Sequence, residues 1–180
     1  MKYINLFIKK LLRYLLKPLS FLPAIFMMCL IFSFSAQDGV QSAELSRKIS
    51  HKLVVVADEV LDKEWDEVQM SQQAERIHYY VRKFAHVLEY FVLAVTVAFP
   101  LYVYKIRGMW LVLLAGVFCV GFAGLDEYHQ SFVAGRGPSL RDVAIDSIGI
   151  LPGILLVRIV GFIGRKTIFK PLVLYKGGKK

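Results

Sequence analysis

The residues able to hold an ion or move a proton are unevenly spread. Asp126, Glu127, His129, Gln130, Arg136, Arg141, Asp142 and Asp146 crowd into residues 126–146, between two strongly apolar runs. A second small group, Arg82, Lys83, His86 and Glu89, borders and enters another apolar run. At helical spacing Arg82, His86 and Glu89 share one face, Ser139, Asp142 and Asp146 another, and Asp126, His129 and Gln130 a third. Groups of this kind enter hydrocarbon only with a partner or a role. Four chemistries compete for them. The first is a structural network in which Arg136 and Arg141 neutralise carboxylates and His86 and Gln130 bridge helices, although such a network gains little over apolar packing. The second is a metal site, since His86 with Glu89 and Asp126 with His129 each place a histidine and a carboxylate three residues apart. The third is catalysis, with His86, Glu89, Asp126, Glu127 and His129 as acid–base candidates and Arg136 holding a phosphate. The fourth is binding or movement of an amphiphilic molecule without reaction. No cofactor is specified by any motif.

The setting for this chemistry is a bilayer. Of 180 residues, 56% are apolar, and the mean hydropathy is +0.51, above the range of soluble domains. The net charge of +9 fits basic flanks of membrane spans. Nucleic acid is excluded as a partner, because no basic face with stacking aromatics stands clear of an apolar run. Cys29 and Cys119 both sit inside apolar runs, which argues against a disulfide framework and a paired-cysteine zinc site.

The expected fold is all-α: a four-span transmembrane bundle in one domain over 19–163, with spans at about 19–36, 84–104, 109–126 and 142–163. Residues 1–18 read as a basic amphipathic segment suited to an anionic leaflet, and 164–180 as a basic cytoplasmic tail. Residues 37–83 form the extracytoplasmic segment, a helical hairpin. Within it Leu45, Ile49, Leu53, Val56 and Val60 mark one apolar face. Lys and Arg concentrate before the first span, in the turn at 105–107 and after residue 157, which places both termini in the cytoplasm.

That topology brings four separated stretches to one outward-facing level. Ser35 and Gln37 close the first span there, His86 and Glu89 lie roughly 3–8 Å inside the second, Asp126 to Gln130 close the third, and Arg141, Asp142 and Asp146 open the fourth. The expectation is a polar pocket at the outer surface, walled by His86, Glu89, Asp126, Glu127, His129, Asp142 and Asp146, with Arg82, Arg136 and Arg141 nearby.

Three segments, FSFSAQDG, RKFAHVLEY and DEYHQSFVAGRGPSLRDVAIDSIG, resemble the blocks of the VanZ-like family of bacterial integral membrane proteins, in that family's order. Together they cover most of residues 30–155; Ala134 stands where the family usually has proline. The resemblance implies a multi-pass protein of the bacterial cytoplasmic membrane. Its motif positions fall on Ser35, Gln37, Lys83, His86, Glu89, Asp126, Glu127, His129, Gln130, Arg136, Asp142 and Asp146. The founding member is associated with low-level resistance to the glycopeptide teicoplanin, which implies an effect on the cell envelope. The reading that results is binding or modulation of a lipid-linked envelope component, with Arg82, Ser139 and Arg141 beside the motif residues. A membrane-embedded, metal-dependent enzyme acting on a phosphate-containing envelope lipid is the alternative. Movement of such a molecule would call for an oligomer.

Overall fold

A computed structural model describes residues 17–137 and 139–166. The basic segment up to residue 16 and the tail beyond 166 lie outside the described residues. Among the described residues five helices follow one another: α1 (Leu22–Ser35), α2 (Gly39–Leu61), α3 (Glu67–Val103), α4 (Met109–Gln130) and α5 (Leu140–Lys166). Four helical stretches, Lys17–Ser35, Glu67–Val103, Met109–Gln130 and Leu140–Gly164, are long and apolar enough to cross a membrane. This is the expected all-α, four-span architecture.

Local sequence sets the helix ends. Asp38 accepts the Gln41 N–H at 2.7 Å and starts α2. Asp66 and Gln69 form a reciprocal capping box at the start of α3, which satisfies two otherwise orphaned donors. Ser139 Oγ accepts the Arg141 N–H at 3.2 Å and opens α5. The turn after α3 needs left-handed backbone at Lys105 (φ 73°) and Gly108 (φ 64°).

Packing centres on α3 and α5, which make the most extensive contact of any helix pair. Glycine permits it. A Cβ on Gly149 would collide with the Val87 carbonyl, and one on Gly153 would lie 2.5 Å from the Phe91 carbonyl. Close backbone approach of this kind is how helices associate in lipid, where tails are as apolar as leucine. Around the seam, Tyr90, Leu93, Ala94, Leu111, Ala115, Cys119 and Ile154 form a buried core with Ile31 of α1.

Two helices run past the expected span limits. The span expected from about 84 is the C-terminal part of a longer helix: α3 runs unbroken through 37 residues. Arg82 and Lys83 looked like a border, but no Gly or Pro lies between residues 67 and 99, so nothing interrupts the helix. Likewise α4 continues to Gln130, past the span limit at about 126, so that Asp126, His129 and Gln130 share one helix. The hairpin therefore consists of α2 packed against the N-terminal half of α3, with Arg47 bridging to Glu75 at 3.1 Å.

Candidate functional site

Asp126 sits at the centre of a buried network. It lies on the last turns of α4 and is 2% exposed. Its Oδ2 accepts hydrogen bonds from Ser35 Oγ at 2.7 Å, Gln130 Nε2 at 3.1 Å and, more weakly, Tyr90 OH at 3.4 Å. Gln130 Nε2 also reaches Ser35 Oγ at 3.1 Å. Three spans thus meet at one carboxylate. Its other oxygen, Oδ1, is buried without a hydrogen-bond partner among the described residues.

Arg136 joins this network from the loop between α4 and α5. It donates to Gln130 Oε1 at 3.0 Å, to the Phe34 carbonyl at 3.1 Å and to the Gln37 carbonyl at 3.1 Å. A guanidinium on carbonyls at the C-terminal end of α1 meets the negative end of that helix. The loop is held in place from the other side too. Gly39 N–H bonds to the Ala134 carbonyl at 3.1 Å, and Gly39 lies so close to Gly135 that a Cβ would strike the Gly135 carbonyl. Burial, and after it the nearby positive charge of Arg82, hold the Arg136 pKa below its ordinary value.

A second cluster ties α3 to α5. Lys83 Nζ pairs with Asp142 at 2.7 Å. Glu127 Oε1 accepts the Ser139 N–H at 2.6 Å, anchoring the start of α5 to α4. Asp146 is buried at 6% exposure, within electrostatic reach of His86 and Lys83.

Arg82, His86 and Glu89 of α3 face open space. A cavity of about 250 Å³ lies between the end of α1, α2 and α3. Its polar lining comes from Gln37, Ser42, Ser46, Arg82, His86 and Glu89; Phe34, Leu45, Ile49, Val81 and Ala85 supply the apolar part. His86 Nδ1 lies 3.2 Å from Glu89 Oε2. Arg82 makes no ion pair among the described residues. Arg136 stands directly behind this wall, through its bonds to Phe34 and Gln37.

The expected single pocket is thus resolved into parts. Gln37, Arg82, His86 and Glu89 line the cavity. Ser35, Asp126, Gln130 and Arg136 form the network behind it. Lys83, Glu127, Ser139, Asp142 and Asp146 form the α3–α5 clasp, and Arg141 is exposed. His129 lies apart: its ring stacks on Phe32 at 3.9 Å, and its Nδ1 is buried without a partner among the described residues. The metal candidates His86 and Glu89 therefore stand together, while Asp126 and His129 do not join them. Among the described residues no group of three or more His, Cys, Asp or Glu is arranged to hold a metal ion. Tyr90, Ser42 and Ser46 were not anticipated. Tyr90 carried a signal, since a phenol within a span, four residues after His86, needs a partner for its hydroxyl.

Fold and site together define a multi-pass helical membrane protein whose polar side chains converge at one end of the bundle. The VanZ/LLP1 family model matches residues 20–161, and the chain belongs to that family. Neither a curated protein nor a solved structure matches it.

Proposed function

We propose that this protein binds a lipid-linked, phosphate-bearing component of the bacterial cell envelope in the cavity between α2 and α3. The observation that carries the reading is the cavity's two-sided lining. Arg82 presents a guanidinium without a carboxylate partner, and Phe34, Leu45 and Ile49 offer an apolar surface beside it. A guanidinium is suited to phosphate, and its charge-assisted bonds are the strong ones. Arg136 adds positive charge immediately behind. In this reading the protein lies in the cytoplasmic membrane with both termini cytoplasmic and the cavity at the outer leaflet, where lipid-linked wall intermediates are exposed. Occupancy of such an intermediate would alter the envelope and raise tolerance of teicoplanin-type glycopeptides.

The test uses purified full-length protein in nanodiscs with a long-chain polyprenyl phosphate and the matching polyprenol. The phosphate should bind more tightly, and Arg82→Gln should cost about tenfold, the size of one charge-assisted bond. Equal binding of the two lipids would remove the phosphate from the account.

One observation favours a catalytic version. His86 and Glu89 are within hydrogen-bond reach of each other on the cavity wall, and a histidine oriented by a carboxylate can act as a general base. That version, with or without a metal at His86 and Glu89, requires a changed headgroup on the lipid recovered from cells. An unchanged lipid inventory together with an altered drug response leaves binding alone.

A further inference from the structure

The apolar stripe of α2 is on the outside. Leu45, Ile49, Leu53, Val56 and Val60 are 48%, 43%, 50%, 54% and 75% exposed. The face of α2 that packs on α3 carries Ser46, Ser50 and Val54 instead. An aliphatic row this long on one helix marks a contact surface.

The bilayer is out of reach of the outer part of this stripe, Leu53, Val56 and Val60. With no Gly or Pro between residues 67 and 99, nothing kinks α3 away from the axis of its span. The 16 residues 67–82 carry α3 about 24 Å past Lys83. A tilt of about 40° would still leave about 18 Å, more than the roughly 5–8 Å of one headgroup layer. His51 lies 4.0 Å from Glu67, so Leu53, Val56 and Val60 stand level with or beyond the first turn of α3.

We propose that a second copy of this chain covers the stripe: two α2 helices pair in parallel along Ile49, Leu53, Val56 and Val60, closing the outer side of the cavity at Leu45 and Ile49. Copies inserted in one membrane share orientation and height, so the same seam meets itself. In-register parallel pairing sets each residue opposite its own copy, and any charge there would repel itself. The seam holds none, and its spacing of four, three and four residues is that of a heptad core. Ala57 beside it is small enough for close approach. Glu44 and Lys48 lie off the seam and satisfy each other within the helix at 2.8 Å. The pairing stands independently of any ligand; only its role in closing the cavity rests on the binding reading above.

The test is disulfide trapping of full-length protein in native membranes, in a Cys29→Ser, Cys119→Ala background. Val56→Cys should give a disulfide-linked dimer on oxidation, and Lys48→Cys should give at least roughly fivefold less, as a position off the seam. Adding Val56→Asp to Val60→Cys should abolish the Val60 crosslink. The proposal is overturned by a monomeric Val56→Cys, by equal trapping at Lys48→Cys, or by an adduct whose mass is not twice that of the chain. A trapped dimer from protein that binds no polyprenyl phosphate would uphold the pairing and sink the ligand reading alone.

Discussion

At the scale of single residues, Asp126 has the most to lose. One of its oxygens serves donors from α1, α3 and α4, so removing it strands buried hydroxyl and amide groups. Asp126→Ala should destabilise the protein by roughly 2–4 kcal/mol, because buried donors left unpaired cost their full desolvation. Tyr90→Phe should cost no more than about 0.5 kcal/mol, since a 3.4 Å bond is a weak one. Thermal unfolding in detergent checks both, and equal losses would contradict the weighting given to Asp126. Spacing alone could collect these side chains at one level, but it could not apportion them. Asp126 and His129 are three residues apart on one helix, yet one turns into the bundle while the other stacks on Phe32. Helix rotation and depth decide such outcomes, and both come from packing. Arg136 illustrates the same limit. Its position in a glycine-flanked loop suggested a cation over the pocket, whereas three of its donors are committed to Gln130 and to carbonyls at the end of α1.

At the scale of elements, the close contact of α3 with α5 depends on glycine at two successive turns. Gly149→Ala should separate the helices and cost about 1–3 kcal/mol, as overpacking does. Gly121→Ala, with nothing within 4 Å of an added Cβ, should be neutral or slightly stabilising. The two variants compared by thermal melting decide whether the glycines act through packing or through flexibility. Much of the element pattern was legible, because apolar runs of span length have few alternatives. The continuity of α3 was not. Arg82 and Lys83 read as a membrane border, and only the shared face of Arg82, His86 and Glu89 ran across it. A helix backbone satisfies its own hydrogen bonds in water and in lipid alike, so it crosses that border without a turn. The amphipathic stripe of α2 was also legible, but not its direction. A stripe states that one face is apolar, whereas small residues on the neighbouring face let α3 approach there instead.

At the scale of the whole molecule, binding of an exported lipid requires an orientation. With both termini cytoplasmic, the loop between α4 and α5 faces outward, and Ser131 is exposed on it. A cysteine placed by Ser131→Cys should react with a membrane-impermeant thiol reagent in intact cells. Labelling only after permeabilisation would put the cavity on the cytoplasmic side and exclude exported wall intermediates as its ligand. Orientation also determines what the two-sided cavity can meet: in the proposed binding mode an outer-leaflet lipid would present its phosphate to Arg82 and its chain to the apolar wall.

The most direct measurement is photocrosslinking of a polyprenyl phosphate bearing a photoreactive group near its phosphate, with full-length protein in nanodiscs and adducts mapped by peptide mass spectrometry. Adducts should fall within residues 42–49 of α2 and 81–89 of α3, the two helical walls of the cavity. They should be lost in Arg82→Gln. Adducts confined to the lipid-facing surfaces of α4 and α5, or an α2–α3 pattern unchanged by Arg82→Gln, would contradict phosphate binding in this cavity.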